Sequence, residues 1–191
     1  SVPAQKGAGG GVGGSFGILI RRNSAAGGQT STGWNLGSSV VNCGFLGDML
    51  NPATASEMQA GIHFIATDGQ VVEGCQFTDV RVGIVSSGDL TGNSCIEILN
   101  NRFTGVAANI AADMYLIDVA GLDIVGNYFL HAIPSHAGPA GLGKWVIGGG
   151  TLTGSISGNF FSGSATAIAT NVTLAGLIAG ANWGSGGPLV T

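Results

Sequence analysis

"IVGNYF" at residues 124–129 and "ISGNFF" at residues 156–161 repeat one six-residue phrase 32 residues apart. A phrase that returns at an interval of this size marks a repeat architecture, so it is traced before any strand or helix is assigned. Read as apolar, any, Gly or Asn, Asn or Cys or Ala, any, aromatic, the phrase occurs six times. The other copies are "VVNCGF" (40–45), "VEGCQF" (72–77), "ILNNRF" (98–103) and "IAGANW" (178–183). With the aromatic as marker, Phe45, Phe77, Phe103, Phe129, Phe161 and Trp183 are separated by 32, 26, 26, 32 and 22 residues.

A second apolar run lies between copies, usually opened by a small residue: "FGILI" (16–20), "GIHFI" (61–65), "GIVSS" (83–87), "MYLI" (114–117), "KWVI" (144–147) and "AIAT" (167–170). Each period holds short strands rich in β-branched and aromatic residues between Gly, Asn, Asp and Ser, with no sustained 3.6-residue pattern. Strands that recur this way stack coil on coil, about 4.8 Å apart, in a parallel β-helix. Within a coil, alternation sends Ile124 inward and Val125 outward, the Gly126-Asn127 corner takes a left-handed turn, and Phe129 returns to the core. The corner column then reads Cys43, Cys75, Asn101, Asn127, Asn159 and Ala181, in which three asparagines form an amide ladder.

Composition agrees. The 191 residues include 36 Gly, 45% hydrophobic residues and only 8% charged ones, which fits neither a disordered chain nor collagen. A net charge of −4 without a basic run argues against nucleic acid. No stretch is apolar enough for membrane insertion, and the N-terminus lacks the order of a signal peptide. Without an initiating Met, the chain reads as part of something longer. "GAGGGVGG" (7–14) lacks the strand, Lys-Ser/Thr ending and helix of a phosphate loop, so residues 1–15 read as a Gly-rich linker before a domain at 16–191.

The columns also locate candidate chemistry. Glu97 and Asp123 fall on adjacent coils, and Glu73 lies one coil from Glu97 and two residues along, about 8 Å away. Stacked carboxylates repel, which leaves a proton donor beside an ionised partner. Separations of about 5–5.5 Å or 6.5–9.5 Å suit retaining or inverting glycoside hydrolysis. A solvated acidic strip is the simpler explanation of the same residues. The next outward column, Gly44, Gln76, Arg102, Tyr128, Phe160 and Asn182, offers rings to stack on sugars and polar groups for their hydroxyls or for an acidic sugar, and burial of the same rings against a neighbouring chain is an equal alternative. Outward Leu99 and Val125 add an apolar strip suited to burial against another chain.

The two 32-residue periods carry their extra residues after the aromatic, at 46–60 and 130–143, and these loops wall a groove floored by Thr78, Asp79, Arg81 and Thr104. Asp79 is a second acid candidate; His131 and His136 read as ordinary loop histidines. Cys43 and Cys75, one coil apart, are within disulfide reach but read as free thiols, and Cys95 as a small apolar residue. No metal or cofactor is called for.

The repeated phrase resembles that of the right-handed, single-stranded parallel β-helix family of pectate-lyase-like enzymes and phage tailspikes, over about residues 16–185. The resemblance implies an all-β, pectin-lyase-like solenoid of about six to seven coils. Among such families, low charge, short Gly-rich coils and the outward apolar strip place the chain nearest bacteriophage tailspike or tail-fibre proteins. That implies a homotrimer in a virion tail that binds, and often depolymerises, bacterial capsule or O-antigen polysaccharide. A lyase of this family would use calcium and an Arg base, for which Arg81 and Arg102 are available. The alternatives are a non-catalytic glycan-binding module and a structural shaft or adhesin segment, secreted or on the bacterial surface.

Overall fold

The computed structural model describes residues 5–6, 15–21, 35–47, 58–65, 67–87, 93–106, 110, 112–131, 146–162, 168–170, 177–184 and 187–189. The protein is all-β, with no helix among these residues. Its strands form two sheets, of 12 and 7 strands, that curl around a shared apolar interior. Strands pair in parallel with their counterparts one repeat away. In one stack Ser39–Val41, Thr67–Glu73, Asn93–Leu99 and residues 119–125 and 152–157 lie side by side, followed by Leu177–Ala179. A second stack runs Ser15–Arg21, Met58–Ile65, Val82–Ser87, residues 112–117 and 146–149, and Ile168–Thr170. Ala112–Val125 and Val146–Ser157 belong to both stacks, which joins them into the larger sheet. The smaller sheet stacks Gly44–Leu46, Gln76–Thr78, Arg102–Thr104, Tyr128–Phe129, Phe160–Phe161 and Asn182–Gly184.

Each inward column repeats aliphatic residues or methionine. Val40, Val72, Ile98, Ile124 and Ile156 align in the first stack, and Ile18, Ile62, Ile84, Met114 and Val146 in the second. The first column is the one expected from the sequence, and the second runs through the apolar runs noted between copies of the phrase. Phe45, Phe77, Phe103, Phe129 and Phe161 are buried face to face, with centroids 4.8, 4.8, 5.0 and 4.4 Å apart and planes within 7°. Burying each ring contributes about 1.5–3 kcal/mol. In the earlier repeats room for the rings comes from a glycine at Gly17, Gly61 and Gly83: a Cβ on Gly83 would lie 2.7 Å from both the Phe103 ring and the Asp113 carbonyl.

The corner after the first stack carries the amide ladder. The side-chain Oδ1 of Asn101, Asn127, Asn159 and Asn182 accepts the backbone N–H of Cys75, Asn101, Asn127 and Asn159 in turn, at 2.8, 2.9, 2.9 and 3.1 Å. Each Nδ2 donates to a carbonyl of the preceding repeat: Val72, Ile98, Ile124 and Ile156. The left-handed residue is the one before, with φ of 54°, 62°, 55°, 69° and 66° at Asn42, Gly74, Asn100, Gly126 and Gly158, positions where Gly and Asn cost least.

The last repeat corrects the sequence register by one residue. Phe160 pairs with Trp183 and Phe161 with Gly184, so Asn182, not Ala181, continues the corner column, and Trp183 points outward. Likewise Ser155 pairs with Ile178 rather than Leu177. An asparagine in the ladder satisfies a buried N–H and a buried carbonyl, whereas alanine there would leave both unpaired. That requirement outweighs the aromatic pattern and leaves Gly184 in line with the buried phenylalanines.

Two further expectations change. Within the segment read as a linker, Gln5–Lys6 pairs antiparallel with Phe16 and Ser15. At the other end Gly187–Leu189 folds back antiparallel on Asn182–Gly184. Cys95, read as a small apolar residue, is exposed, at φ 50° in a column with Gly69 and Gly121.

Candidate functional site

The strands bring part of the acid strip together as expected. Glu97 pairs directly with Asp123, and both are exposed on the first stack. Asp123 accepts the Ser155 hydroxyl at 2.6 Å. Glu73 is exposed one repeat back, opposite Leu99 rather than Glu97. Asp68 adds a fourth acid to the same face and accepts Ser94 Oγ at 2.7 Å.

The outward column of the smaller sheet lies around the asparagine corner from these acids. Gln76, Arg102, Tyr128, Phe160 and Trp183 occupy consecutive strands in register. Gln76 and Arg102 are exposed, Tyr128 and Trp183 are 53% and 52% exposed, and Phe160 is half-buried. Trp183 replaces the Asn182 expected here, which makes three aromatic residues in a row. Tyr128 and Phe160 lie 6.4 Å apart at 38°, unlike the parallel buried rings. Beside them Gln76 Nε2 donates to Thr78 Oγ1 at 3.3 Å, and the Thr78 and Thr104 hydroxyls share a hydrogen bond of 3.0 Å. Leu99 and Val125, across the corner, are half-buried.

Asp79 is buried in the turn after Gln76–Thr78, at φ 50°. Its Oδ1 accepts the Val106 N–H of the next repeat at 2.6 Å, while Oδ2 is buried without a hydrogen-bond partner among the described residues. Arg81 is half-buried, and its carbonyl accepts the Ala112 N–H at 3.3 Å. Residues 48–57 and 132–145, most of the two long loops, and with them His136, lie outside the described residues.

Sequence reasoning missed a buried pair. His131 is not an ordinary loop histidine: its Nε2 sits 3.0 and 2.9 Å from the two oxygens of Asp113, and both residues are buried. The His131 carbonyl also accepts the Ser162 hydroxyl. Burial pushes the Asp113 carboxyl above its ordinary value, against the opposing pull of His131. The signal was present in the sequence: Asp113 takes the strand-opening place held by Gly61 and Gly83 in earlier repeats.

Cys43 and Cys75 are free thiols in adjacent corner positions, with the Cys43 N–H 3.5 Å from Cys75 Sγ. Burial is the main influence raising the Cys75 thiol pKa. Among the described residues no three His, Cys, Asp or Glu side chains gather to hold a metal ion, and no helix is long and apolar enough to cross a membrane. Comparison of the chain with protein-family models, curated proteins and solved structures gave no match.

Proposed function

We propose that the chain is a right-handed, single-stranded parallel β-helix of about six to seven coils, of the tailspike kind, that binds bacterial surface polysaccharide. The observation that carries this reading is the outward column Gln76, Arg102, Tyr128, Phe160 and Trp183, in register on consecutive strands. Aromatic faces at strand spacing stack on successive sugar rings, while the flanking amide, guanidinium and threonine hydroxyls hydrogen-bond their substituents. A solvated ring column on a β-sheet is otherwise poorly suited to a protein that binds nothing.

A second reading, polysaccharide hydrolysis, is favoured by the direct Glu97–Asp123 pairing. It is the weaker of the two, because those acids and the rings lie on different faces around the asparagine corner. A homotrimer, the arrangement typical of tailspikes, would cover the apolar positions Leu99 and Val125.

The test is co-sedimentation and calorimetry with capsular and O-antigen polysaccharides, with light scattering to give the oligomeric state. Reducing ends and the ultraviolet absorbance of an unsaturated product are followed in the same samples. Binding that weakens at least tenfold in Tyr128→Ala and Trp183→Ala, without product, supports a binding module. Reducing ends lost in Glu97→Gln or Asp123→Asn would establish hydrolysis. No binding to any polysaccharide refutes both readings.

A further inference from the structure

We propose that the ligand of the outward column is an anionic polysaccharide, laid along the stacking direction with its acidic groups read by Arg102. This rests on the polysaccharide-binding reading above and specifies its ligand class.

Three observations converge on it. First, charge is divided between faces. Among the described outward residues of the smaller sheet Arg102 is the single charged group, set among Gln76, Thr78, Thr104, Tyr128, Phe160 and Trp183. The first stack, around the corner, presents Asp68, Glu73, Glu97 and Asp123. The protein carries a net charge of −4, so a polyanion is repelled from the acidic first stack and admitted on the smaller sheet, where Arg102 stands exposed. Second, Arg102 is exposed, and no described residue forms an ion pair with it, so its planar fork is free for a carboxylate or phosphate.

Third, the rings are available. The buried phenylalanines spend their faces on one another at 4.4–5.0 Å, with planes within 7°. Tyr128 and Phe160 are splayed at 6.4 Å and 38°, which leaves ring surface for a ligand. Tyr128, Phe160 and Trp183 follow Arg102 on successive strands, so a polymer running across the strands meets the guanidinium first and then three stacking positions. The strand spacing of about 4.8 Å is close to the length of one sugar unit in an extended chain. A ligand running along a single strand would meet only one of these side chains.

The test pairs each of three uronic-acid polymers (alginate, polygalacturonate and hyaluronan) with its own carboxyl-reduced derivative, plus a capsular polysaccharide set containing neutral and acidic members. Affinities are measured at low and raised salt for the intact protein, Arg102→Gln, Arg102→Lys and Trp183→Ala. The expected result is an acidic polymer bound roughly tenfold or more tightly than its reduced form, with the difference abolished in Arg102→Gln, partly kept in Arg102→Lys and narrowed by salt. Trp183→Ala weakens acidic and reduced forms in equal proportion. If both forms bind alike, or Arg102→Gln keeps the preference, the inference is overturned while polysaccharide binding stands. If no neutral or acidic member binds, both fall. Arg102 is exposed, so an unchanged melting curve separates loss of binding from loss of fold.

Discussion

Removing one amide from the corner ladder tests how the repeats are held together. Asn127 is fully buried, accepts the Asn101 N–H and Nδ2 at 2.9 and 3.0 Å, and donates to Ile98 O, Val125 O and Asn159 Oδ1 at 2.8, 3.2 and 3.0 Å. In Asn127→Ala some partners keep a bond: Asn101 Nδ2 still reaches Val72 O, and Asn159 Oδ1 still accepts the residue-127 N–H. The buried N–H of Asn101 loses its acceptor. That orphan costs about 1–3 kcal/mol, and with the other lost bonds the total is about 3–5 kcal/mol. For a chain of this length the melting temperature falls by about 6–20 °C, read by scanning calorimetry and urea denaturation. The neighbouring Asn100→Ala is the control: this residue is exposed at φ 55°, and its loss costs about 1–2 kcal/mol through the left-handed backbone alone. If Asn127→Ala melts no lower than Asn100→Ala, the ladder is incidental and the phenylalanine stack alone holds the repeats in register.

Two other perturbations separate competing accounts. Trp183→Ala should change stability by no more than about 0.5 kcal/mol, because the ring is exposed, whereas Phe161→Ala should cost about 3–5 kcal/mol; equal losses would mean that Trp183 is the core residue the sequence phrase suggests. For Asp113, a carboxyl raised by burial stabilises the fold fully only below its ordinary value of 3.8 and loses that contribution as pH climbs through its folded value. Asp113→Asn removes this titration, so its stability relative to the parent should rise from about pH 4 toward neutrality in urea midpoints; a pH-independent offset would refute the assignment.

Much of this was legible because the fold writes its contacts into the chain at intervals of one repeat. Residues that stack, such as Phe77 on Phe103 or Ile98 on Ile124, are 26 residues apart, so a column in space is a column in an alignment of the chain with itself. The pairing of Glu97 with Asp123 followed from the same arithmetic. The burial of Asp79 was not legible, because a strand pattern says nothing about which carboxylates bridge neighbouring repeats, as Oδ1 does to the Val106 N–H.

The sequence by itself determined the repeat and, for every copy of the phrase but the last, the inward column and the side that faces water, since these follow from periodicity and alternation. The tertiary structure decided the last register and the Asp113–His131 pair. In "IAGANW" the aromatic pattern and the need of a buried amide column for Asn182 differ by one residue, and a one-residue slip exchanges inside for outside. Asp113 in a second-stack strand and His131 just past Tyr128–Phe129 are 18 residues apart in the same repeat, and meet only because the chain closes around its core. Local pattern cannot express that closure, just as it cannot show that the amide column takes Asn182 and turns Trp183 to the surface.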